Sequence, residues 1–161
     1  MKSIDELYQS YFSAIYRYLL SLCGDPYEAE DLVQETFFRA YLYLEHYRGE
    51  NVKPWLFTVA HNAFIDYTRK QKRLVIREDS FFLTVPDRKV NILTKIIIDE
   101  EIDEILSRLG SLPDKQKFAL LLHDFHLFSY HEAAAIMNVS PGHFKVLLYR
   151  ARQAIRRKRE G

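Results

Sequence analysis

The chain has 161 residues, of which 48% are hydrophobic and 14% aromatic, a composition that supports one domain or two small ones and excludes general disorder. Its net charge is only +1, but residues 112–161 carry nine Lys or Arg against four Asp or Glu, a local charge of +5. The single cysteine, Cys23, excludes an internal disulfide and fits a reducing compartment. Because no segment has a signal-peptide core or approaches the ~20 apolar residues of a membrane span, we expect a cytoplasmic protein without direct membrane insertion.

Two helices are predicted at the N-terminus. Apolar residues at helical spacing predict the first helix over residues 4–23, and Gly24-Asp25-Pro26 then ends it. Asp25 can cap a second helix that runs from Tyr27 to about Tyr47. The outer face of this second helix carries Asp31, Gln34, Glu35, Phe38 and Arg39. A large ring among charged groups is typical of a protein interface, and a partly covered surface phenylalanine is the simpler alternative.

A third helix is predicted to begin near Pro54 and to end in a basic segment at Arg73. Apolar residues from Leu56 to Tyr67 form its buried stripe, and its polar face comprises His61, Asn62, Ile65, Asp66, Arg69 and Lys70. Trp55 stands beside Lys53 at its entry. Such a helix can hold single-stranded nucleic acid, since its cations bind phosphates and its rings stack on bases. An ordinary amphipathic helix with a solvated basic end is the alternative.

The middle of the chain, residues 74–94, has no sustained helical pattern and contains Pro86, which predicts a flexible linker with short extended pieces. Helical periodicity resumes near Ile96 and ends at Gly110. The next helix is predicted from residue 111 to about residue 126, with Phe118, Leu121, Leu122 and Phe125 buried.

The C-terminal segment has the form of a helix-turn-helix. Ser129 and Glu132 form a capping box that opens a short helix, and Ser140 with Pro141 begins the last helix after a tight turn. The exposed face of the last helix and its continuation offer His143, Lys145, Tyr149, Arg150 and Arg152. The caps, the spacing and the local charge favour DNA binding over a helical hairpin with a basic tail.

Three motifs in this order resemble the extracytoplasmic-function (ECF) sigma factors, the small two-domain subfamily of the bacterial sigma-70 family. Residues Glu30–Tyr41 resemble the helix that binds core RNA polymerase. Residues Pro54–Asn62, continued to Arg69, resemble the segment that melts and reads the promoter minus-ten element. Leu112-Pro113, Glu132–Ala134 and Ser140–Arg152 resemble the domain that reads the minus-thirty-five element.

The resemblance implies an all-α fold of two small helical domains. Sigma region 2 would occupy residues 1–73 and the helix-turn-helix region 4 residues 95–161, with the flexible linker 74–94 between them. It also implies an alternative sigma factor that binds core RNA polymerase and directs promoter recognition. Such a protein is not an enzyme and needs neither a cofactor nor a metal.

The resemblance also assigns roles to residues. The polymerase-binding face falls on the outer residues of the second helix given above. Asn62 matches an amide that supports recognition of an extruded minus-ten base, and the base-capturing loop corresponds to residues 48–53. The implied minus-ten contacts are Arg48, Lys53, Trp55, Asn62, Asp66, Arg69, Lys70 and Arg73, and the implied minus-thirty-five contacts are Ser140, His143, Lys145, Val146, Tyr149, Arg150 and Arg152.

The sequence departs from the family pattern at Val146 and Leu147, where the family often has a small polar residue and then an arginine. This difference concerns the promoter sequence that is read, not DNA binding itself. The partners implied are core RNA polymerase and promoter DNA, both as duplex and as the melted non-template strand. Family members are also commonly held by an anti-sigma factor, which is often membrane-bound.

Two other functions have weaker support in the sequence. A stand-alone helix-turn-helix regulator would use its N-terminal domain to sense a ligand or to dimerise, and a sensing domain should bury a pocket. A zinc site is not indicated, because His123 and His126 have no cysteine or carboxylate partners at a typical spacing. Nor is there a phosphate-binding glycine loop.

Overall fold

The structure is a computed structural model that describes residues 3–47, 51–77 and 107–160. Within these ranges the chain is helical and contains no β-strand, which confirms the all-α prediction. The helices are α1 (Ile4–Cys23), α2 (Pro26–Tyr43), α3 (Val52–Arg77), α4 (Asp114–Leu120), α5 (Tyr130–Met137) and α6 (Pro141–Glu160). Residues 107–109 are also helical. Most of the predicted linker lies outside the described residues.

The helix ends in the N-terminal half follow the local sequence. Ser3 caps α1 by accepting a hydrogen bond from the Glu6 N–H, at 3.2 Å. Gly24 ends α1 with a φ of 73°, a left-handed conformation that glycine adopts without a steric penalty. Asp25 then caps α2 through the Tyr27 N–H at 2.9 Å, with Pro26 at the first helical position. The predicted boundary between these two helices is therefore confirmed. A 3₁₀ turn, Leu44–His46, follows α2.

Helices α1, α2 and α3 pack together as an N-terminal unit, residues 3–77. Their facing stripes bury Leu7, Ile15, Leu19, Val33 and Leu56, each 1% exposed or less. Burying one such side chain contributes about 1.5–3 kcal/mol relative to leaving it exposed. The packing of the three helices thus fixes which faces of α2 and α3 are exposed.

The C-terminal unit, residues 107–160, differs from the prediction after α4. A π-helical turn, Leu121–Phe125, follows α4 directly. A π-turn changes the angular spacing of the residues that follow it, so a stripe drawn at 3.6 residues per turn no longer holds. Phe125, predicted to be buried, is 47% exposed as a result. The preceding members of the stripe, Phe118, Leu121 and Leu122, are buried as predicted.

The helix-turn-helix consists of α5 and α6. The capping box is complete: the Glu132 N–H donates to Ser129 Oγ at 3.1 Å, and the Ser129 N–H donates to the Glu132 carboxylate at 3.0 Å. Asn138 ends α5 in the left-handed region, and Ser140 accepts from the His143 N–H at the start of α6. Ala133 is fully buried, and α5 packs against α6, which agrees with the expected close approach of the two helices.

The two units are in direct contact. Helix α5 packs against α3, and aromatic and imidazole rings from both units meet in what we call the aromatic junction. Its members are Tyr18, Phe57 and His61 of the N-terminal unit and Phe118, His126 and Phe128 of the C-terminal unit. The ring centroids of Phe57 and Phe128 lie 4.9 Å apart, and those of His61 and Phe118 lie 4.5 Å apart.

The prediction that His61 belongs to the polar face of α3 is wrong. Its side chain is only 5% exposed, because the C-terminal unit covers this side of the helix. The Tyr18 hydroxyl lies 2.9 Å from His61 Nδ1 and satisfies that nitrogen inside the junction. Burial lowers the pKa of His61 from the usual 6.5 to about 4, so the ring is neutral near pH 7.

Candidate functional site

The outer face of α2 carries the five residues predicted to bind polymerase, which we call the α2 surface: Asp31, Gln34, Glu35, Phe38 and Arg39. All are exposed except the half-buried Arg39. The Phe38 ring is 52% exposed, while Phe37 beside it in the sequence is 6% exposed and belongs to the core. The prediction that Phe38 points outward is therefore confirmed. Its role in binding stays a prediction.

The exposed apolar area extends beyond the predicted residues. Tyr41, Leu42 and Tyr43, in the last turn of α2, are 61%, 54% and 61% exposed. The sequence pattern gave no reason to single out the two tyrosines. Three consecutive exposed side chains cannot lie on one stripe of a helix, so the end of α2 offers apolar surface on several sides.

A groove of about 630 Å³ runs between α2 and α3. We call it the α2–α3 groove, and it is lined by Arg39, Leu42, Tyr43, Trp55, Thr58, Val59, Asn62, Ile65, Asp66 and Arg69. A second cavity of about 420 Å³ is formed by Asp66, Arg69, Lys70, Arg73 and Leu74 along the same helix. Six of the predicted minus-ten residues therefore line one continuous side of α3: Trp55, Asn62, Asp66, Arg69, Lys70 and Arg73.

The groove combines ring surface with hydrogen-bonding groups. Trp55 is held in place by stacking on Tyr47, with the ring centroids 4.5 Å apart and the planes 27° from parallel. The Asn62 side chain is exposed on the same wall, two turns from Trp55 and one turn from Asp66 along α3. An indole fixed by a second ring suits base stacking, and an exposed amide can both donate to and accept from a base edge. Tyr47 was missed by the sequence reasoning.

Arg39 joins the α2 surface to the groove. Its Nε donates to a Glu35 carboxylate oxygen and its guanidinium donates to Asp66 of α3, both at 2.9 Å. These two hydrogen bonds raise the pKa of Arg39 above its ordinary value, and the bond to Glu35 has the larger effect. Exposed ion pairs of this kind stabilise a fold by about 1 kcal/mol at most, so their main effect is to orient the groups.

One described minus-ten residue, Lys53, does not line the groove. Lys53 points towards the C-terminal unit, with its Nζ 3.5 Å from the His126 carbonyl oxygen and 5.2 Å from the centre of the Phe128 ring. Arg48 lies outside the described residues.

The predicted minus-thirty-five residues share the outer side of α6. Ser140, His143, Lys145, Val146, Tyr149, Arg150 and Arg152 are all exposed. Val146 is 44% exposed and therefore available to a partner, whereas Leu147 is 6% exposed and belongs to the core. Of the two residues at which the family pattern is broken, only Val146 is therefore exposed enough to contact a partner.

Two cations of this surface are engaged within the unit. Arg152 donates two hydrogen bonds to the Asp124 carboxylate, at 2.6 and 3.2 Å. Lys145 lies over the Tyr130 ring, 5.6 Å from its centre. These contacts hold the side chains in defined positions at the border of the exposed face.

Among the helices that the structure describes, none is both long and apolar enough to cross a bilayer.

Comparison with known proteins agrees with these features. A family model described as "Sigma-70 region 2" matches residues 7–74, and one described as "Sigma-70, region 4" matches residues 102–155. The chain is 44% identical over 155 residues to the ECF RNA polymerase sigma factor SigM of Bacillus subtilis, covering 96% of this chain and 93% of that protein. It is 29% identical over 160 residues to RNA polymerase sigma factor YlaC of the same species, covering 96% and 91% of the two chains.

A solved structure has a fold similar to that of this chain. The sigma factor RpoE of Bartonella quintana, in complex with the anti-sigma factor NepR, superposes with a TM-score of 0.79 at 28% identity, covering 98% of this chain and 96% of that one. The two family matches fall in chain order on the N-terminal and C-terminal units, as the resemblance of the motifs implied. This protein therefore belongs to the ECF sigma factors of the sigma-70 family.

Proposed function

We propose that this chain acts as an alternative sigma factor by binding core RNA polymerase through the α2 surface and promoter DNA through the α2–α3 groove and α6. The proposed domains are sigma region 2 at residues 1–73 and sigma region 4 at residues 95–161. The protein contributes binding energy, positioning and strand capture, while the chemistry of RNA synthesis belongs to the polymerase. A protein acting on chromosomal DNA with polymerase works in the cytoplasm.

The observation that carries this proposal is the connection between the α2 surface and the groove. Phe38 is exposed on one side of α2, and the groove opens between α2 and α3. Arg39 belongs to both the α2 surface and the groove, and its guanidinium donates a hydrogen bond to Asp66 of α3. A polymerase bound at Phe38 would therefore hold the groove in a fixed position relative to the DNA strand that the enzyme opens. Positioning of this kind is what recognition of an extruded base needs, since unstacking the base costs a few kcal/mol.

Helix α6 supports upstream duplex binding. Its outer side combines cations for phosphates with Val146 and Tyr149, which can contact base edges in a major groove. The N-terminus of α6, capped by Ser140, adds backbone N–H groups suited to a phosphate. An inhibitor of the anti-sigma class is a further proposed partner, because the RpoE relative was solved in such a complex.

The helix-turn-helix regulator is not favoured as an alternative. Under that hypothesis the N-terminal half would sense a ligand or dimerise, but this half matches sigma region 2 over residues 7–74.

A gel-shift assay with and without core RNA polymerase tests the proposal. The chain alone should bind any duplex weakly, with an affinity that falls steeply as salt is raised, since phosphate contacts carry no sequence information. Promoter-selective binding should appear only when core enzyme is added. Tight, sequence-selective binding by the chain alone would contradict the proposal and support the regulator.

A further inference from the structure

Arg39 is the side chain through which α2 reaches the opposite wall of the α2–α3 groove. Its Nε donates to a Glu35 carboxylate oxygen and its Nη1 donates to Asp66 Oδ2, both at 2.9 Å. Glu35 lies one turn earlier on α2, whereas Asp66 belongs to α3. The Arg39 side chain is only 29% exposed. The two hydrogen bonds therefore hold the guanidinium at the edge of the groove, between the two helices.

Asp66 is an unexpected residue for a groove that receives nucleic acid. It lines both the α2–α3 groove and the second cavity along α3, and its side chain is 55% exposed. Among the described residues that line the groove it is the one acid, and Arg39 and Arg69 are the cations. An unpaired carboxylate would repel a strand that carries a negative charge on every phosphate. The Arg39 guanidinium at 2.9 Å supplies the opposite charge and reduces this repulsion.

The ion pair contributes little to the stability of the fold, since exposed pairs stabilise proteins only weakly. It does fix the orientation of the carboxylate. The charge-assisted hydrogen bond from Arg39 engages Asp66 Oδ2. Within the part of the chain that the structure describes, no hydrogen bond engages the other oxygen, Oδ1. One oxygen is thus held in place, while the other can accept a hydrogen bond from a ligand in the groove.

An ionised carboxylate accepts hydrogen bonds and donates none, which limits the bases that it can bind. Cytosine and adenine carry an exocyclic amino group, which is a donor, next to a ring nitrogen that accepts. Thymine and guanine carry a carbonyl oxygen at the corresponding position, and this oxygen would face the carboxylate as a second acceptor. Asp66 therefore suits a base with an amino group and disfavours a base with a carbonyl oxygen in its place.

Asn62 adds the complementary donor. It is exposed on the same wall of the groove, one turn before Asp66, a spacing that places the Cβ atoms of two helical residues about 5–6 Å apart. Its amide can donate to the ring nitrogen of a base whose amino group donates to Asp66. Trp55, stacked on Tyr47, offers ring surface two turns from Asn62. These groups together match the edge and the face of an extruded cytosine or adenine.

We propose that Arg39 is a positioning residue of the α2–α3 groove, which neutralises Asp66 and orients its carboxylate to select a minus-ten base with an exocyclic amino group, cytosine or adenine. This inference rests on the proposed function, since it requires that the groove receives the melted strand. It gives Arg39 a part in DNA recognition besides its place on the α2 surface. It also explains how a groove for an anionic strand accommodates a carboxylate.

Binding of labelled single-stranded minus-ten oligonucleotides to core RNA polymerase reconstituted with the full chain tests this proposal. A library randomised over the minus-ten element first identifies the positions at which cytosine or adenine is preferred. At each such position cytosine is replaced by uracil, which has a carbonyl oxygen instead of the amino group, or adenine by purine, which lacks the amino group. The ratio of the two dissociation constants measures selection for the amino group, and a change in affinity for polymerase cancels from it.

At one position the wild type should bind the amino base about tenfold more tightly than its analogue, as expected for one hydrogen bond to a charged group. Asp66→Asn has nearly the same shape but can also donate, so this ratio should fall to about one. Arg39→Ala should lower the ratio to about threefold or less, and Arg39→Lys, which keeps a positive charge beside Asp66, should restore part of it. Arg17→Ala, which removes an exposed arginine of α1 outside the groove, should keep the wild-type ratio.

Circular dichroism checks that each variant keeps its helical content, and Arg39→Gln replaces Arg39→Ala if the alanine variant unfolds. An unchanged ratio for Asp66→Asn would overturn the inference and leave the proposed function intact. A ratio that falls for Asp66→Asn but not for Arg39→Ala would overturn the positioning role of Arg39. A wild-type complex without base preference at any minus-ten position would instead reject the proposed function.

Discussion

Phe38 is the residue on which the proposed polymerase contact depends most. Because its ring is 52% exposed and lies off the core stripe, Phe38→Ala should change the free energy of unfolding by no more than about 0.5 kcal/mol. If the ring is a hot spot, the same change should weaken binding to core RNA polymerase by about 2 kcal/mol, roughly 30-fold in Kd. Fluorescence anisotropy with labelled protein measures the affinity, and thermal unfolding measures the stability.

Tyr149→Ala is the matched control for Phe38→Ala, because it removes an aromatic ring that is 64% exposed on α6, away from the α2 surface. Its affinity for core enzyme in the absence of DNA should equal that of the wild type. A large stability loss with unchanged affinity for Phe38→Ala would show that the α2 surface was assigned to the wrong face of the helix.

Asn62 should act at strand opening and not at initial docking. Its amide is exposed in the α2–α3 groove, where it can support an extruded base without contributing to the core. Asn62→Ala should leave closed-complex formation nearly intact and lower the permanganate reactivity of melted thymines. Thr58→Ala, a change on the same wall of the groove, serves as the comparison. Equal losses in both steps for Asn62→Ala would indicate a structural residue.

Val146 is the side chain that should alter promoter preference. An apolar group cannot make the bidentate contact by which arginine identifies guanine, but it can pack against the methyl group of thymine. Val146→Ser should therefore cost ~1 kcal/mol on upstream elements with a thymine at the facing position. Binding of the two proteins to thymine- and uracil-containing promoters measures this methyl contact. Identical upstream preferences for wild type and variant would instead assign Val146 to a protein partner such as an inhibitor.

At the scale of elements, α3 carries both the groove and one side of the aromatic junction. The pKa of His61 is lowered by burial to about 4, and the ring faces Tyr18 from α1 and Phe118 from α4. As pH falls below 6.5, the unfolded chain binds a proton at this histidine before the folded chain does. Stability should therefore be fully present above pH 6.5 and decline as pH falls towards 4.

The contribution of His61 to this decline is at most about 1.4 kcal/mol per pH unit. In His61→Gln, which keeps a polar partner for the Tyr18 hydroxyl, the loss of stability between pH 6.5 and 4 should be smaller by that contribution. Urea unfolding across this range measures it, with the exposed His131→Gln as control. If the free energy of unfolding of His61→Gln fell with pH as steeply as that of the wild type, other groups would be the cause of the decline.

Helix ends and faces were largely predictable from sequence, because they are set by residues that are neighbours in the chain. The Gly24-Asp25-Pro26 boundary and the Ser129–Glu132 capping box depend on hydrogen bonds that span at most four residues, and both are present. Phe125 was predicted wrongly because a π-turn has no clear signature in a pattern read at 3.6 residues per turn.

At the scale of the whole molecule, the sequence could not predict the contact between the two units. His61 is polar and lies one residue from the exposed Asn62, so periodicity along α3 placed it outward. Its burial depends on Phe118, which is 57 residues further along the chain and belongs to another unit. The exposure of the two candidate surfaces on α2 and α6 was easier to predict, since each lies opposite the core stripe of a single helix.

The measurement that tests the central claim most directly is run-off transcription from a promoter library by core RNA polymerase reconstituted with this chain. Sequencing of the transcripts should reveal start sites at a fixed distance from shared minus-ten and minus-thirty-five elements, with core enzyme alone producing no such selection. Asn62→Ala should reduce selection at the minus-ten element, and Val146→Ser should alter it at the minus-thirty-five element. Transcripts without shared elements, or the same transcripts with and without the chain, would contradict the account.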